Sequence, residues 1–243
     1  MRKRFWWAAG ALLMAVFLCA AGGIVLCETA LHVRRVRPVP VPSFATWREV
    51  SIQARDGAVL RAWLLTPTAA NGDCVVTLHG VADGRTGTLG LARLFVENHY
   101  VVLMPDGRGH GESGGGFTTY GLLERDDVHR WVDWLIASQH PRHVFGMGES
   151  LGAAVLLQSL AEETRFSAVA AESPFANFEK IAEYRVAQRL PFSGWAADAA
   201  ARPLVWSGVL YGRLRYGMDF GAANWWRMSL NALKTGIGAS RGR

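Results

Sequence analysis

The stretch "GMGESLGAA", residues 146–154, decides the fold, because it joins an apolar run to a helix-like run through the spacing G-x-S-x-G. Before it, "HVFGM" (143–147) has the character of a strand; after it, "LGAAVLLQSLAEE" (151–163) has that of a helix. A strand that ends and a helix that begins within one tight turn lift the middle hydroxyl out of the sheet, and small residues two before and two after it avoid clashes. Gly148 and Gly152 hold those places, Glu149 precedes the bend, and Ser150 is the candidate nucleophile. The spacing alone also occurs in ordinary loops; the flanking strand and helix set this one apart.

Outward from the elbow, apolar strand-like runs recur at "CVVTLHG" (74–80), "YVVLMPDG" (100–107) and "FSAVAAES" (166–173). Helices are expected between them at about 86–98, 120–139 and 150–163. In the second of these, Leu123, Val128, Trp131, Leu135 and Ile136 share a face and leave the charges of "ERDD" (124–127) on the other. Alternating strands and helices predict the α/β class, a mostly parallel sheet covered on both faces. Ahead of it, "REVSIQARDGAVLRAWLLT" (48–66) reads as two strands turning at Asp56 and Gly57, an antiparallel edge.

The N-terminus is of a different kind. Arg2, Lys3 and Arg4 precede a stretch from Phe5 to Cys27 without one charge, long enough for a membrane-spanning helix. It runs past the small residues at Ala20 and Ala21, where a cleaved leader would end, so an uncleaved single-pass signal anchor is expected. Basic residues at Arg34, Arg35 and Arg37 follow as well; the cluster abutting the apolar run favours a short N-terminus inside and the main domain on the extracytoplasmic side. The alternate prolines of "VRPVPVPS" (36–43) make a stiff spacer. The expected organisation is an anchor at 1–33, a spacer at 34–46, an α/β domain at 47–220 and an atypical tail at 221–243. The net charge of +6 is scattered except near the N-terminus, which points to a membrane surface and away from nucleic acid. Cys19, Cys27 and Cys74 show neither disulfide nor metal spacing.

Acyl transfer at Ser150 needs donors aimed at the oxygen that becomes negative. Leu151 offers one backbone N–H, and the loop "TLHGVADG" (77–84) offers another at Val81, with His79 and Gly80 closing the strand and lining the pocket. The side chain of His79 reads as an anchor for that loop. The run "GRGHGESGGG" (107–116) reads as a surface loop and lacks the lysine of a phosphate cradle.

Taken together, "LHGVADGRTG" (78–87), "VVLMPDGRGHGESGG" (101–115), "GMGESLGAA" and "AESPF" (171–175) resemble the α/β-hydrolase superfamily, in its branch of serine aminopeptidase-like and lysophospholipase-like hydrolases with an N-terminal membrane anchor. The resemblance covers about residues 48–220. It implies hydrolysis of an ester, thioester or peptide bond through an acyl-enzyme, without metal or organic cofactor, on a small-molecule, lipid or peptide substrate. It also implies that Asp106 to Ser113 form a structural turn, with His110 and Ser113 as scaffold, and that helices between Phe175 and Phe220 lie over or beside the pocket.

Serine is a weak nucleophile at neutral pH and needs a base, normally a histidine held by a carboxylate. In this fold the chain order is Ser, acid, His. All seven histidines, at 32, 79, 99, 110, 129, 140 and 143, precede Ser150. The tail "GAANWWRMSLNALKTGIGASRGR" (221–243) has no Asp, Glu or His and no strand-like run. The expectation is therefore that the last two strands are missing through truncation or frame-shift near Ala223, and that hydrolysis is impaired. Two alternatives stand beside it: rescue by His79 or His110 with Glu172 as acid, and a non-catalytic binding module that keeps fold and anchor. Missing strands would leave an open sheet edge and exposed apolar surface, with Trp225 and Trp226 placed to meet a membrane.

Overall fold

The computed structural model describes residues 2–36 and 44–223. Most of the proline spacer, and the tail from Asn224 with Trp225 and Trp226, lie outside the described residues. In chain order the elements are α1 (Arg2–Leu31), β1 (Thr46–Gln53), β2 (Val59–Thr66), β3 (Cys74–Leu78), α2 (Leu89–Glu97), β4 (Val101–Pro105), α3 (Glu124–Gln139), β5 (Val144–Glu149), α4 (Leu151–Ser159), β6 (Phe166–Glu172), α5 (Phe178–Ala187) and α6 (Trp195–Tyr216). The described residues divide into two compact units, one made of residues 2–31 and 177–222, the other of 32–36, 44–176 and 223.

The second unit is a six-stranded sheet in the order β1-β2-β4-β3-β5-β6. β1 and β2 form the expected hairpin, Thr46 opposite Thr66 through Gln53 opposite Val59. Its turn uses Gly57 at φ +84°, a region that side chains with a Cβ avoid. β2 joins β4 antiparallel, while β4, β3, β5 and β6 run parallel.

β3 and β4 are buried at every position, as unbroken Val and Leu runs predict for strands covered on both faces. Period-two alternation sorts their side chains. Leu64, Val76, Leu78 and Leu103 pack with Val128, Trp131, Leu135 and Leu156 on the α3 and α4 side, whereas Trp63, Leu65, Val102 and Met104 pack with Ala92 and Val96 on the α2 side. Leu103 and Leu156 are fully buried, and truncating either to Ala removes about 2–5 kcal/mol of stability. β6 is the last strand in the order, and Ala168, Ala170 and Glu172 along it are exposed.

Two expectations are overturned in this unit. The acidic cluster opening α3 does not all face away from the core: Glu124 and Asp127 are buried, and Leu123 is exposed. The Glu124 carboxylate accepts from Thr118 Oγ1 at 2.9 Å, Thr119 N at 2.6 Å and Gly121 N at 2.8 Å, and charge-assisted bonds of this kind offset its desolvation. Nor is the glycine-rich run a surface loop. Arg108, His110 and Ser113 are buried, and a Cβ at Gly111 would run into the Asp106 carboxylate, so glycine serves close wrapping around Asp106.

The first unit comprises α1, α5 and α6. α5 opens on Asn177, whose side chain accepts from Lys180 N at 2.9 Å, and α6 ends at Gly217 in the left-handed conformation. Phe178 stacks on Phe220 with ring centroids 4.7 Å apart. In α1, Lys3–Leu31 is long and apolar enough to cross a membrane, with mean hydropathy 2.4, a property it shares with signal sequences.

Candidate active site

Ser150 stands between β5 and α4 with φ 51° and ψ −105°. This is a strained conformation for a residue with a Cβ, costing on the order of 1–3 kcal/mol, and its neighbours hold it there. Ser150 N donates to Glu172 O at 2.9 Å, which ties the bend to β6. Gly152 N donates to His79 O at 3.1 Å, which ties α4 to the end of β3. The bend has no room for side chains at the flanking glycines. A Cβ on Gly148 would lie 2.6 Å from Ala153 N, and one on Gly152 would lie within 2.5 Å of the Leu78 carbonyl carbon.

The loop after β3 comes alongside the serine: a Cβ on Gly80 would sit 3.7 Å from Ser150 Cβ. The N–H groups of Val81 and Leu151 have no protein hydrogen-bond partner among the described residues. Leu151 is the first residue of α4, where unpaired N–H groups and the helix dipole favour negative charge. Glu149 and Glu172 are exposed, so Glu172 reaches the elbow through its carbonyl and not its carboxylate.

The two histidines at this end of the sheet are committed elsewhere. His79 Nδ1 donates to Gly80 O at 2.7 Å, and its Nε2 accepts from Gly107 N at 2.9 Å. His110 Nδ1 donates to Arg108 O at 2.9 Å, and its Nε2 accepts from Ala82 N at 3.2 Å. Each ring is thus a neutral bridge between backbone groups with no nitrogen left over. Burial lowers both pKa values, with the neighbouring His110 adding to the effect at His79. Among the described residues no histidine is hydrogen-bonded to Ser150, and no group of three or more His, Cys, Asp and Glu is arranged to hold a metal ion.

Beneath these loops lies a network that motif spacing did not specify. Asp106 Oδ1 accepts from Arg85 N at 2.7 Å, and Oδ2 accepts from Arg85 Nε at 2.9 Å, Arg85 Nη2 at 2.7 Å and Glu112 N at 2.8 Å. The guanidinium also lies over Trp63, 5.0 Å from the ring centroid. Arg108 grips Asp127 through Nε and Nη2, both at 2.7 Å, and reaches Asp56 at 2.8 Å. Burial opposes the charge of Arg108, but Asp127 and Asp56 outweigh it and keep the guanidinium protonated. The only prior signal was the D-x-R-G-H-G-x-S run itself. Between this network and α4 is a cavity of ≈ 40 Å³ lined by His79, Asp106, Trp131, Leu151, Gly152 and Val155, far below the several hundred Å³ of a substrate pocket.

A family model described as "Serine aminopeptidase, S33" matches residues 70–209. The uncharacterised protein YqkD of Bacillus subtilis is 32% identical over 124 residues, covering 50% of this chain and 41% of its own length. The uncharacterised protein YfhR of Escherichia coli is 28% identical over 162 residues, covering 63% of this chain and 55% of its own. Among solved structures, the Pyrococcus furiosus esterase Pf2001 aligns with TM-score 0.59 at 25% identity, over 74% of this chain and 72% of that one. The chain spans about half the length of the curated relatives it matches.

Proposed function

We propose a reading that starts from descent: this chain belongs to the serine aminopeptidase, S33, family of α/β-hydrolases, and Ser150 is its acyl-accepting nucleophile. Attack by Ser150 Oγ on an ester, thioester or amide carbonyl would generate a tetrahedral oxyanion, and the N–H groups of Val81 and Leu151 would receive it. The Ser150 Oγ proton passes to solvent, the leaving group departs with a proton taken from solvent to give the acyl-enzyme, and water releases the acid and restores the hydroxyl. No metal or organic cofactor enters this chemistry. The substrate is a small ester, a lipid or a peptide, and the likeness to the Pyrococcus furiosus esterase Pf2001 favours the first two. We further propose that α1 is an uncleaved membrane anchor with the hydrolytic unit on the extracytoplasmic side.

The observation that carries the reading is the backbone of Ser150 itself, a positive φ on a non-glycine residue between a strand and a helix, kept in place by Glu172 O and by the contact of Gly152 with β3. Strain of this kind persists where the hydroxyl must project from the sheet. A fluorophosphonate probe tests it. An adduct mapped by mass spectrometry to Ser150, and lost in Ser150→Ala, supports the nucleophile; no adduct on a folded protein, or an adduct on another serine, overturns it.

One observation favours a weaker catalyst over a complete one. His79 and His110 both have their ring nitrogens engaged, so neither is a base for Ser150 in the 243-residue chain, and rescue by these residues with Glu172 is dropped. A site with the nucleophile and oxyanion donors but no base retains about 10³–10⁴-fold catalysis over water. If Ser150 proves inert, the second reading, a non-catalytic binding module, takes its place.

A further inference from the structure

The first unit carries exposed apolar surface on two of its helices. On α1, Phe5, Trp6, Trp7, Leu12, Leu13 and Phe17 are 66–80% exposed, and the helix stays open to solvent through Leu18. From Cys19 onward it packs against α6. Ser207 Oγ donates to Cys19 O at 3.1 Å. A Cβ on Gly23 would lie 2.7 Å from Gly208 N, and one on Gly212 would lie 3.2 Å from Cys27 Sγ. Tyr211 and Tyr216 both donate to the Glu28 carboxylate at 2.8 Å. The contacts advance along the two helices together, so α1 and α6 run in the same direction where they touch, with glycine backbones in direct contact as in small-residue packing of membrane helices.

That register fixes a level on α6. A bilayer core takes about 20 residues of helix. Counted from Phe5, where the uncharged stretch starts, this length ends near Gly23 and Ile24. Leu204, Ser207 and Gly208 meet α1 there. Because the helices share a direction, the segment Trp195–Pro203 that precedes this contact lies on the bilayer side of it.

The exposed face of α6 has the chemistry such a position requires. Trp195 is 84% exposed, Trp206 67% and Leu214 79%, and they share their side of the helix with Leu210, Arg202 and Arg213. Phe192, in the turn leading into α6, is exposed too. α6 carries Arg202, Arg213 and Arg215 against the one acid Asp198, an excess of positive charge that complements anionic headgroups. Indole rings prefer the headgroup level, and arginine stems lie along apolar surface while their guanidinium groups reach phosphates.

We infer that α6 is a second membrane contact of this chain: the exposed face of its first half, from Trp195 to Trp206, enters an anionic bilayer beside α1, while Arg202 and Arg213 reach lipid phosphates. The inference rests on the reading of α1 as a membrane span. It makes the first unit a two-point seat on the lipid, with α1 crossing the bilayer and the first half of α6 entering beside it.

Single-cysteine variants of the full chain test this in phosphatidylcholine and phosphatidylglycerol vesicles that contain nitroxide-labelled lipids. Cys19 is changed to Ala, Cys27 and Cys74 being buried, and an environment-sensitive fluorophore is attached at Leu12→Cys, Trp195→Cys, Trp206→Cys or Leu94→Cys. The inference expects labels at 12, 195 and 206 to shift to the blue and lose most of their fluorescence to the nitroxides. The label at 94, on an exposed position of the other unit, keeps its aqueous spectrum. If 12 is quenched while 195 and 206 behave like 94, the α6 contact is wrong and the anchor stands. If 12 itself stays aqueous, the span is wrong and the α6 contact falls with it.

Discussion

The rings of His79 and His110 meet edge to face with centroids 5.1 Å apart, and each bridges two backbone groups through both of its nitrogens. One ring ties the end of β3 to Gly107, the other ties Ala82 to Arg108. The pair thereby stitches the loop that carries Val81 to the loop that follows β4. In the proposed reading these imidazoles position the Val81 N–H as an oxyanion donor, and neither is free to take the Ser150 proton.

Protonation of either ring breaks a bridge, which gives stability a definite pH dependence. Both folded pKa values lie below the ordinary value of 6.5, so the unfolded chain binds more protons as pH falls. The contribution is therefore fully present above about pH 6.5 and declines as pH drops from there toward the folded values. The urea midpoint should fall between about pH 7.5 and 5.5, and more steeply than in the double variant His79→Gln/His110→Asn, which cannot titrate. Parallel slopes would show that the two rings are not held neutral by the fold.

Gly152→Ala should damage the elbow more than its size suggests. The added Cβ meets the Leu78 carbonyl, which is backbone and has no rotamer to retreat into. We expect a loss of about 1–3 kcal/mol or more from overpacking, together with weaker fluorophosphonate labelling at Ser150. Gly116→Ala, where a Cβ would find nothing within 4 Å, is the control for substitution as such. Equal urea midpoints for the two variants would remove the steric argument.

Asp106→Ala should be among the most destabilising single changes in the second unit. Arg85 is fully buried and Asp106 nearly so, and losing the carboxylate leaves a guanidinium in the core with its main partner gone. Breaking such a pair from one side costs about 3–5 kcal/mol. The exposed pair Arg93 and Glu97 on α2 is the contrast: Glu97→Ala should change stability by about 0.3–0.5 kcal/mol. Chemical denaturation of the two variants decides whether burial sets the difference.

The sheet was legible because its strands are short-range statements. The runs at Cys74–Leu78 and Val101–Pro105 have no polar alternation, the hairpin turn has its Asp56-Gly57 pair, and the bend at Ser150 has a glycine on each side. What stayed hidden depends on partners distant in sequence. Glu124 looks like a solvated charge until Thr118, Thr119 and Gly121 fold back onto it, and Asp127 until Arg108 arrives. The glycines of 107–116 suggested a surface loop because hydropathy does not register that they wrap the buried Asp106. His79 reads as a loop anchor and His110 as scaffold, but their partners Gly107 and Ala82 come only from the fold, as does the pairing of α1 with α6 from the approach of Gly23 to Gly208. No periodicity within a single helix or loop carries that information.

The acylation rate of Ser150 by an activated ester, measured with and without added imidazole, tests the account most directly. With nucleophile and oxyanion donors in place but no base engaged, free imidazole should accelerate acylation of the 243-residue chain well beyond its effect on the ester alone, and Ser150→Ala should abolish that gain. Rapid acylation that ignores imidazole would contradict the account, since it would mean that a proton acceptor already sits at Ser150.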